Sequence, residues 1–96
     1  MIIGVLQIEL YLPQARSLKD KRRVLLSLKD KIGEPPSIAV AEVDAMDLHR
    51  KAVLGITTVS NDGRHSRQVL DTIVEKLRND PRVVLGEHAI EIMTGH

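Results

Sequence analysis

Apolar and polar side chains alternate from the start of the chain. Over residues 2–12, Leu6, Ile8, Leu10 and Leu12 fall on one side, and Gln7, Glu9 and Tyr11 fall on the other beside Ile3 and Val5. A period of two predicts a strand, and Pro13 ends it. The period then lengthens. At about 100° per residue, Leu18, Val24, Leu25, Leu28 and Ile32 share an arc of roughly 120°, which predicts a helix over residues 18–32. Gly33 and then Pro35-Pro36 form its stop signal. Residues 37–43, small and β-branched, read as a second, shorter strand. Residues 44–50 are a polar connection containing Met46 and Leu48, longer than a tight hairpin and with room for one helical turn. A third strand follows over residues 51–60, where Gly55 marks close packing or a bulge. Ser60-Asn61-Asp62-Gly63 opens a second helix, any of the first three being a suitable cap. Its stripe is Val69, Leu70, Ile73, Val74 and Leu77, and Asn79-Asp80-Pro81 stops it. Residues 82–93 form the last strand, interrupted by Gly86, before Thr94-Gly95-His96.

The resulting order is β-α-β-β-α-β in one domain covering residues 1–96. Right-handed crossovers and short connections reduce the topologies to a ferredoxin-like α+β sandwich. It has a four-stranded antiparallel sheet of order 4-1-3-2 with two helices on one face. That topology brings the first turn of helix one, the connection 44–50, Arg78 and Arg82 to one end, with Asp20, Asp44, Asp47 and Asp80 interspersed. It sends Arg64, His65 and Arg67 to the other end, near Lys31.

Composition narrows the function. A chain of 96 residues with 43% hydrophobic and 28% charged residues builds one ordinary globular core. No apolar run reaches the roughly 18 residues of a membrane span, and Met1-Ile2-Ile3 opens straight into a strand without a basic leader. The absence of cysteine removes disulfides, thiolate nucleophiles and cysteine metal sites. A cytoplasmic protein that does not engage membranes is the expectation. A net charge of +1 excludes a strongly basic domain, so any nucleic-acid contact must come from local clustering. Tyr11 is the sole aromatic residue. The core is therefore aliphatic, and base stacking on two or three sheet aromatics is excluded.

The candidate chemistry gathers where the first strand hands over to the first helix. Ser17 and Asp20 form a shortened capping box. Five cations, Arg16, Lys19, Lys21, Arg22 and Arg23, then crowd eight residues. Cations at a helix N-terminus oppose the macrodipole by about 0.3–1 kcal/mol each, so local helix energetics do not select them. Lys21 lies inside the apolar arc. One reading lays its methylenes on the core and snorkels its ammonium to the rim, onto a carboxylate. Glu42, if it shares a sheet face with Ile38 and Val40, is the partner for such a structural pair. The other reading places Lys21 in an anion-binding site with Arg16, Lys19, Arg22 and Arg23, assisted by Arg50 and Lys51. Ser60, Asp62 and His65 lie close in sequence, but helix capping accounts for the first two. Asp44, Asp47 and His49 lack a matching fourth metal ligand. His88 reads as a structural or surface imidazole. The glycines are scattered singly, without a phosphate-loop or dinucleotide pattern. No catalytic residue, metal or cofactor is expected, and the protein is expected not to be an enzyme.

Arg16-Ser-Leu-Lys-Asp-Lys-Arg22, Val40-Ala-Glu-Val43, Ala52-Val-Leu-Gly55 and Val59-Ser-Asn61 resemble successive blocks of the YlxP-like family of small bacterial proteins, a domain of unknown function. The resemblance covers nearly the whole chain. It implies a ferredoxin-like fold, no established enzymatic activity, and genes lying among those for translation initiation and ribosome maturation. Related sequences often carry tryptophan after the Asp47-Leu48 position, where this chain has His49. Two functions follow as expectations. The first is an adaptor binding ribosomal RNA or a ribosome-assembly protein through the basic rim. The second is a protein-interaction or homodimerisation module using the uncovered sheet face, with Ile3, Val5, Gln7 and Val53, and Val59 beside them. An enzyme acting on a small anion is a remote third.

Overall fold

The computed structural model describes residues 1–33 and 37–95. Six elements follow in the expected order: β1 (Ile2–Tyr11), α1 (Leu18–Ile32), β2 (Ile38–Asp44), β3 (Lys51–Ser60), α2 (Gly63–Arg78) and β4 (Val84–Thr94). The strands make one antiparallel sheet ordered β2-β3-β1-β4, the 4-1-3-2 order read from the opposite edge. This is the ferredoxin-like sandwich. The Pro35-Pro36 stop and His96 lie outside the described residues.

Periodicity dictates the layers. Leu6, Ile8, Leu10, Leu12, Ala52, Leu54 and Ile56 are buried on one sheet face. Leu25, Leu28 and Ile32 of α1 and Leu70, Ile73, Val74 and Leu77 of α2 join them in an aliphatic core. Full burial of such a side chain is worth about 1.5–3 kcal/mol. Asp62, the last of the three proposed caps, starts α2, its Oδ1 accepting from the Arg64 N–H at 2.9 Å.

Three strands differ in their bounds from the sequence reading. Leu12 leaves the β1 ladder, although its N–H still donates to the Arg50 carbonyl at 2.8 Å. β2 spans Ile38–Asp44, one residue later than expected at each end. β4 begins at Val84 rather than Arg82, because Asp80 Oδ1 takes the Arg82 N–H at 3.0 Å and holds that stretch as a turn. Residues 44–50 contain no helical segment. They make a tight turn in which the Leu48 N–H donates to the Ala45 carbonyl at 3.1 Å, with Ala45 left-handed at φ 57°.

Two glycines are required by close approach. A Cβ at Gly55 would lie 2.9 Å from Val43 Cγ1. The β2–β3 register shifts between Glu42 and Asp44, which takes Val43 out of the ladder and lets it fold over Gly55. At Gly86 a Cβ would come within 2.7 Å of Tyr11 Cε2. There the β1–β4 register shifts between Ile8 and Leu10.

One placement is corrected. Lys31 does not lie near Arg64, His65 and Arg67. Its Nζ is 3.4 Å from Asp80 Oδ2, and Ser27 Oγ accepts from Arg82 Nη1 at 2.8 Å. The opposite end of the helix meets residues 45–51 through Lys21. Both contacts belong to the same end of the sheet, since Tyr11 pairs with Lys51 and with Val84. α1 therefore brings Lys21, Ser27 and Lys31 to that end.

Candidate functional site

The site is built on the start of α1. Ser17 is extended, and its Oγ accepts from the Asp20 N–H at 3.1 Å. Asp20 Oδ2 in return accepts from the Arg16 N–H at 2.9 Å. The acid of this turn is thus engaged with backbone and neutralises no side chain. Arg16, Lys19, Arg22 and Arg23 are exposed, and among the described residues none of them forms an ion pair. Elsewhere Lys31 and Arg82 are matched with Asp80, Lys51 with Glu9, Arg67 with Asp71 and Arg78 with Glu75, while Lys29, Arg50, Arg64 and Lys76 form no ion pair among the described residues and are scattered along the sequence. Arg78 and Arg82, expected on the rim, are thereby neutralised.

Lys21 makes the structural pair expected with Glu42, but it neither snorkels to the rim nor faces an external anion. Its side chain is 1% exposed, so it does not snorkel. The ammonium donates to the carbonyls of Ala45 at 2.8 Å, Leu48 at 2.5 Å and Lys51 at 2.9 Å, with Met46 at 3.5 Å. Glu42 Oε2 lies 2.6 Å from the same nitrogen. Glu42 reaches it because it shares the core-facing side of β2 with Ile38 and Val40. That oxygen is buried without a well-angled hydrogen bond, so the ion pair is what compensates its charge. An ammonium has three donors, and here the protein itself takes all of them. Lys21 consequently presents nothing to an external anion, unlike the four exposed cations beside it.

Arg50 and Lys51 flank the cluster. Arg50 Nε donates to the Ala15 carbonyl at 3.4 Å, which joins the β2–β3 connection to the approach of α1. Lys51 Nζ is 3.3 Å from Glu9 and 5.9 Å from the centre of the Tyr11 ring. The bond to Glu9 raises its pKa above the ordinary lysine value. On the uncovered sheet face Ile3 and Val5 are half-buried and Gln7 is exposed, but Val53 is buried by its neighbours and offers almost no surface.

A second polar cluster went unforeseen. Asp80 is buried and accepts from Arg82 Nε at 2.9 Å and Nη2 at 2.7 Å, from the Arg82 N–H, and from Lys31. The sequence signal is Asp-Pro-Arg directly after a helix, which sets an acid two residues from a guanidinium. Arg82, with support from Lys31, holds the Asp80 carboxyl well below the usual carboxylate range despite its burial. A depressed folded pKa contributes stability above the unfolded value of about 3.9 and loses it as pH falls. Asp80→Asn should therefore cost about 1.5–3 kcal/mol near neutral pH, the range for hydrogen bonds to charged groups. Urea unfolding of both proteins should show the gap closing as pH drops below about 4.

The catalytic-looking residues are otherwise occupied. Ser60 Oγ bonds Ser66 Oγ and the Asp62 backbone, and Asp62 caps α2. Asp44 Oδ1 accepts from the Ala45 N–H at 2.7 Å. Among the described residues no three His, Asp or Glu side chains converge as a metal site, and no helix is long and apolar enough to cross a membrane. A concavity of about 680 Å³ is an open groove along α2, away from the cation cluster.

Residues 3–90 match the sequence profile of a family described as protein of unknown function, DUF503. The chain belongs to that family. Among solved structures it is similar to a de novo designed protein with a ferredoxin fold, at 13% identity and a TM-score of 0.60, covering 99% of this chain and 89% of the other. It is also similar to part of an amidase of the hydantoinase/carbamoylase family from Burkholderia phymatum, at 13% identity and a TM-score of 0.50. The match covers 99% of this chain but spans only 29% of that enzyme. Both likenesses concern the fold alone. No curated protein sequence matches the chain.

Proposed function

We propose that this DUF503 protein is a non-enzymatic adaptor that binds RNA through the exposed cations Arg16, Lys19, Arg22 and Arg23, with Arg50 at their margin. The observation that carries this reading is their lack of charge partners. Among the described residues six of the other ten cations are matched with carboxylates, and the remaining four are scattered along the sequence, whereas these four stand together at a helix start that their own macrodipole disfavours. Unmatched clustered cations suit a polyanion, and phosphate contacts of this kind fix position without reading sequence. The resemblance to YlxP-like proteins, with genes among those for ribosome maturation, makes ribosomal RNA the partner to test. A ribosome-assembly protein is the alternative carrier of negative charge.

A second reading uses the open sheet face as a protein-interaction or homodimer surface. Val43, Val59 and Met93 are exposed there, which favours it. The buried Val53 weakens it.

Co-sedimentation of the protein with ribosomal subunits and with free ribosomal RNA, at low and moderate salt, tests the first reading. Comigration should fade steeply as salt rises, because counterion release sets the affinity. Absence of comigration at every salt concentration would transfer the function to the sheet face.

A further inference from the structure

Beside the cation cluster lies a shallow cleft of about 540 Å³, lined by Tyr11, Asp47, Leu48, His49, Arg50 and Lys51. That volume is within the range of small-molecule sites. Two of its apolar members are open to solvent, Tyr11 at 41% and Leu48 at 54%. The ring of Tyr11 is held in place: it packs over Gly86, its hydroxyl donates to Glu9 at 3.2 Å, and Lys51 lies across it. The opposite wall is the connection whose carbonyls Lys21 gathers. Both walls are therefore preorganised, which lowers the ordering cost of binding.

We propose that this cleft receives one unpaired RNA base whose flanking phosphates lie on the first turns of α1. The proposal rests on the RNA-binding reading above and specifies the kind of RNA. Three features select a nucleotide over an acidic peptide. Arg50 joins the cleft to the first member of the cation cluster, because it lines the cleft and bonds to the carbonyl of Ala15, next to Arg16. The cleft itself is mixed in charge, Asp47 and the Glu9 partner of Lys51 offsetting its cations, so it does not duplicate the phosphate site. It pairs an aromatic face with a carboxylate acceptor and a guanidinium donor, the complement of a flat base with a polar edge. A single aromatic side chain gives a single stacking position. A bulge, loop or strand end can place a base there, and a continuous duplex cannot.

Tyr11 is the sole aromatic residue, so intrinsic tyrosine fluorescence of the unmodified protein reports this cleft. The probes are a fully paired RNA hairpin closed by a non-nucleotide linker, the same hairpin with one bulged nucleotide, and a peptide of glutamate and leucine. The expected result is about tenfold tighter binding of the bulged hairpin, in line with the worth of one base–aromatic stack, with quenching of Tyr11 emission. Tyr11→Leu should remove the advantage while leaving the affinity for the paired hairpin unchanged. Equal binding of both hairpins with constant emission would overturn the cleft assignment and leave the RNA reading standing. Binding of neither hairpin at low salt would overturn both. Quenching by the peptide and not by RNA would overturn it in favour of a protein partner.

Discussion

Lys21→Met is expected to destabilise the fold by about 3–5 kcal/mol, the range for removing one member of a buried ion pair. Methionine keeps an unbranched, apolar stem, so the loss isolates the ammonium. Without it the Glu42 carboxylate stays buried and uncompensated, and the carbonyls of Ala45, Leu48 and Lys51 lose their donor. Domains of this size have total stabilities of about 5–15 kcal/mol, so the variant would be marginal. Glu42→Gln should cost less, about 1 kcal/mol, because an amide oxygen still accepts from the lysine. Converting both residues to apolar ones should not restore stability. A simple buried pair is often replaceable by hydrophobic groups, but here three backbone acceptors would remain unpaired. Urea unfolding followed by far-UV circular dichroism gives these values. A loss under about 1 kcal/mol for Lys21→Met would mean that water reaches the carbonyls in its place.

The Arg22→Glu/Arg23→Glu double variant should lose RNA affinity at least tenfold at low salt, and its log–log salt dependence should flatten by about two units, one per lost phosphate contact. Stability should move by less than about 0.5 kcal/mol, since both side chains are exposed and form no ion pair among the described residues. Near a helix N-terminus acids are favoured over bases, so any change should be towards greater stability. Affinity and stability would then move in opposite directions, which separates a binding role from general damage to the fold. Unchanged affinity with the same slight stabilisation would identify the cluster as a solvated face. Titrations of fluorescent ribosomal RNA fragments at several salt concentrations, beside thermal melts, read both quantities.

The parts of this fold legible in the chain are those governed by local periodicity. The alternation through Leu6, Ile8, Leu10 and Leu12 and the stripe through Leu25, Leu28 and Ile32 each have one consistent burial. β3, α1 and the strand order accordingly coincide with expectation. The ends of β1, β2 and β4 differ by one or two residues because long-range hydrogen bonds decide them, as when Asp80 holds Arg82 in a turn. Lys21 was conspicuous as a charge in an apolar arc, and Glu42 followed from alternation along β2. The remaining partners of the ammonium are backbone carbonyls, which every residue carries, so no residue type announces them. The position of α1 was hidden for a related reason. Topology gives the direction of a helix but not how far it is displaced along the sheet, and only the contacts of Ser27 and Lys31 with Arg82 and Asp80 reveal that. Asp80 reads in the sequence as part of a helix stop and as one of the acids among the rim cations, whereas its burial against Arg82 and Lys31 depends on the fold.

The carbonyls gathered by Lys21 come from residues 45, 48 and 51, three residues apart along one connection. Such an arrangement acts as a ruler. An added or deleted residue between Ala45 and Lys51 would move at least one carbonyl away from the nitrogen, or shift the pairing of β3 with β1, in which a one-residue slip turns every side chain to the other face. Surface connections usually tolerate changes of length better than any other part of a domain. This one is bound to a single length, while its outward side chains remain free to vary.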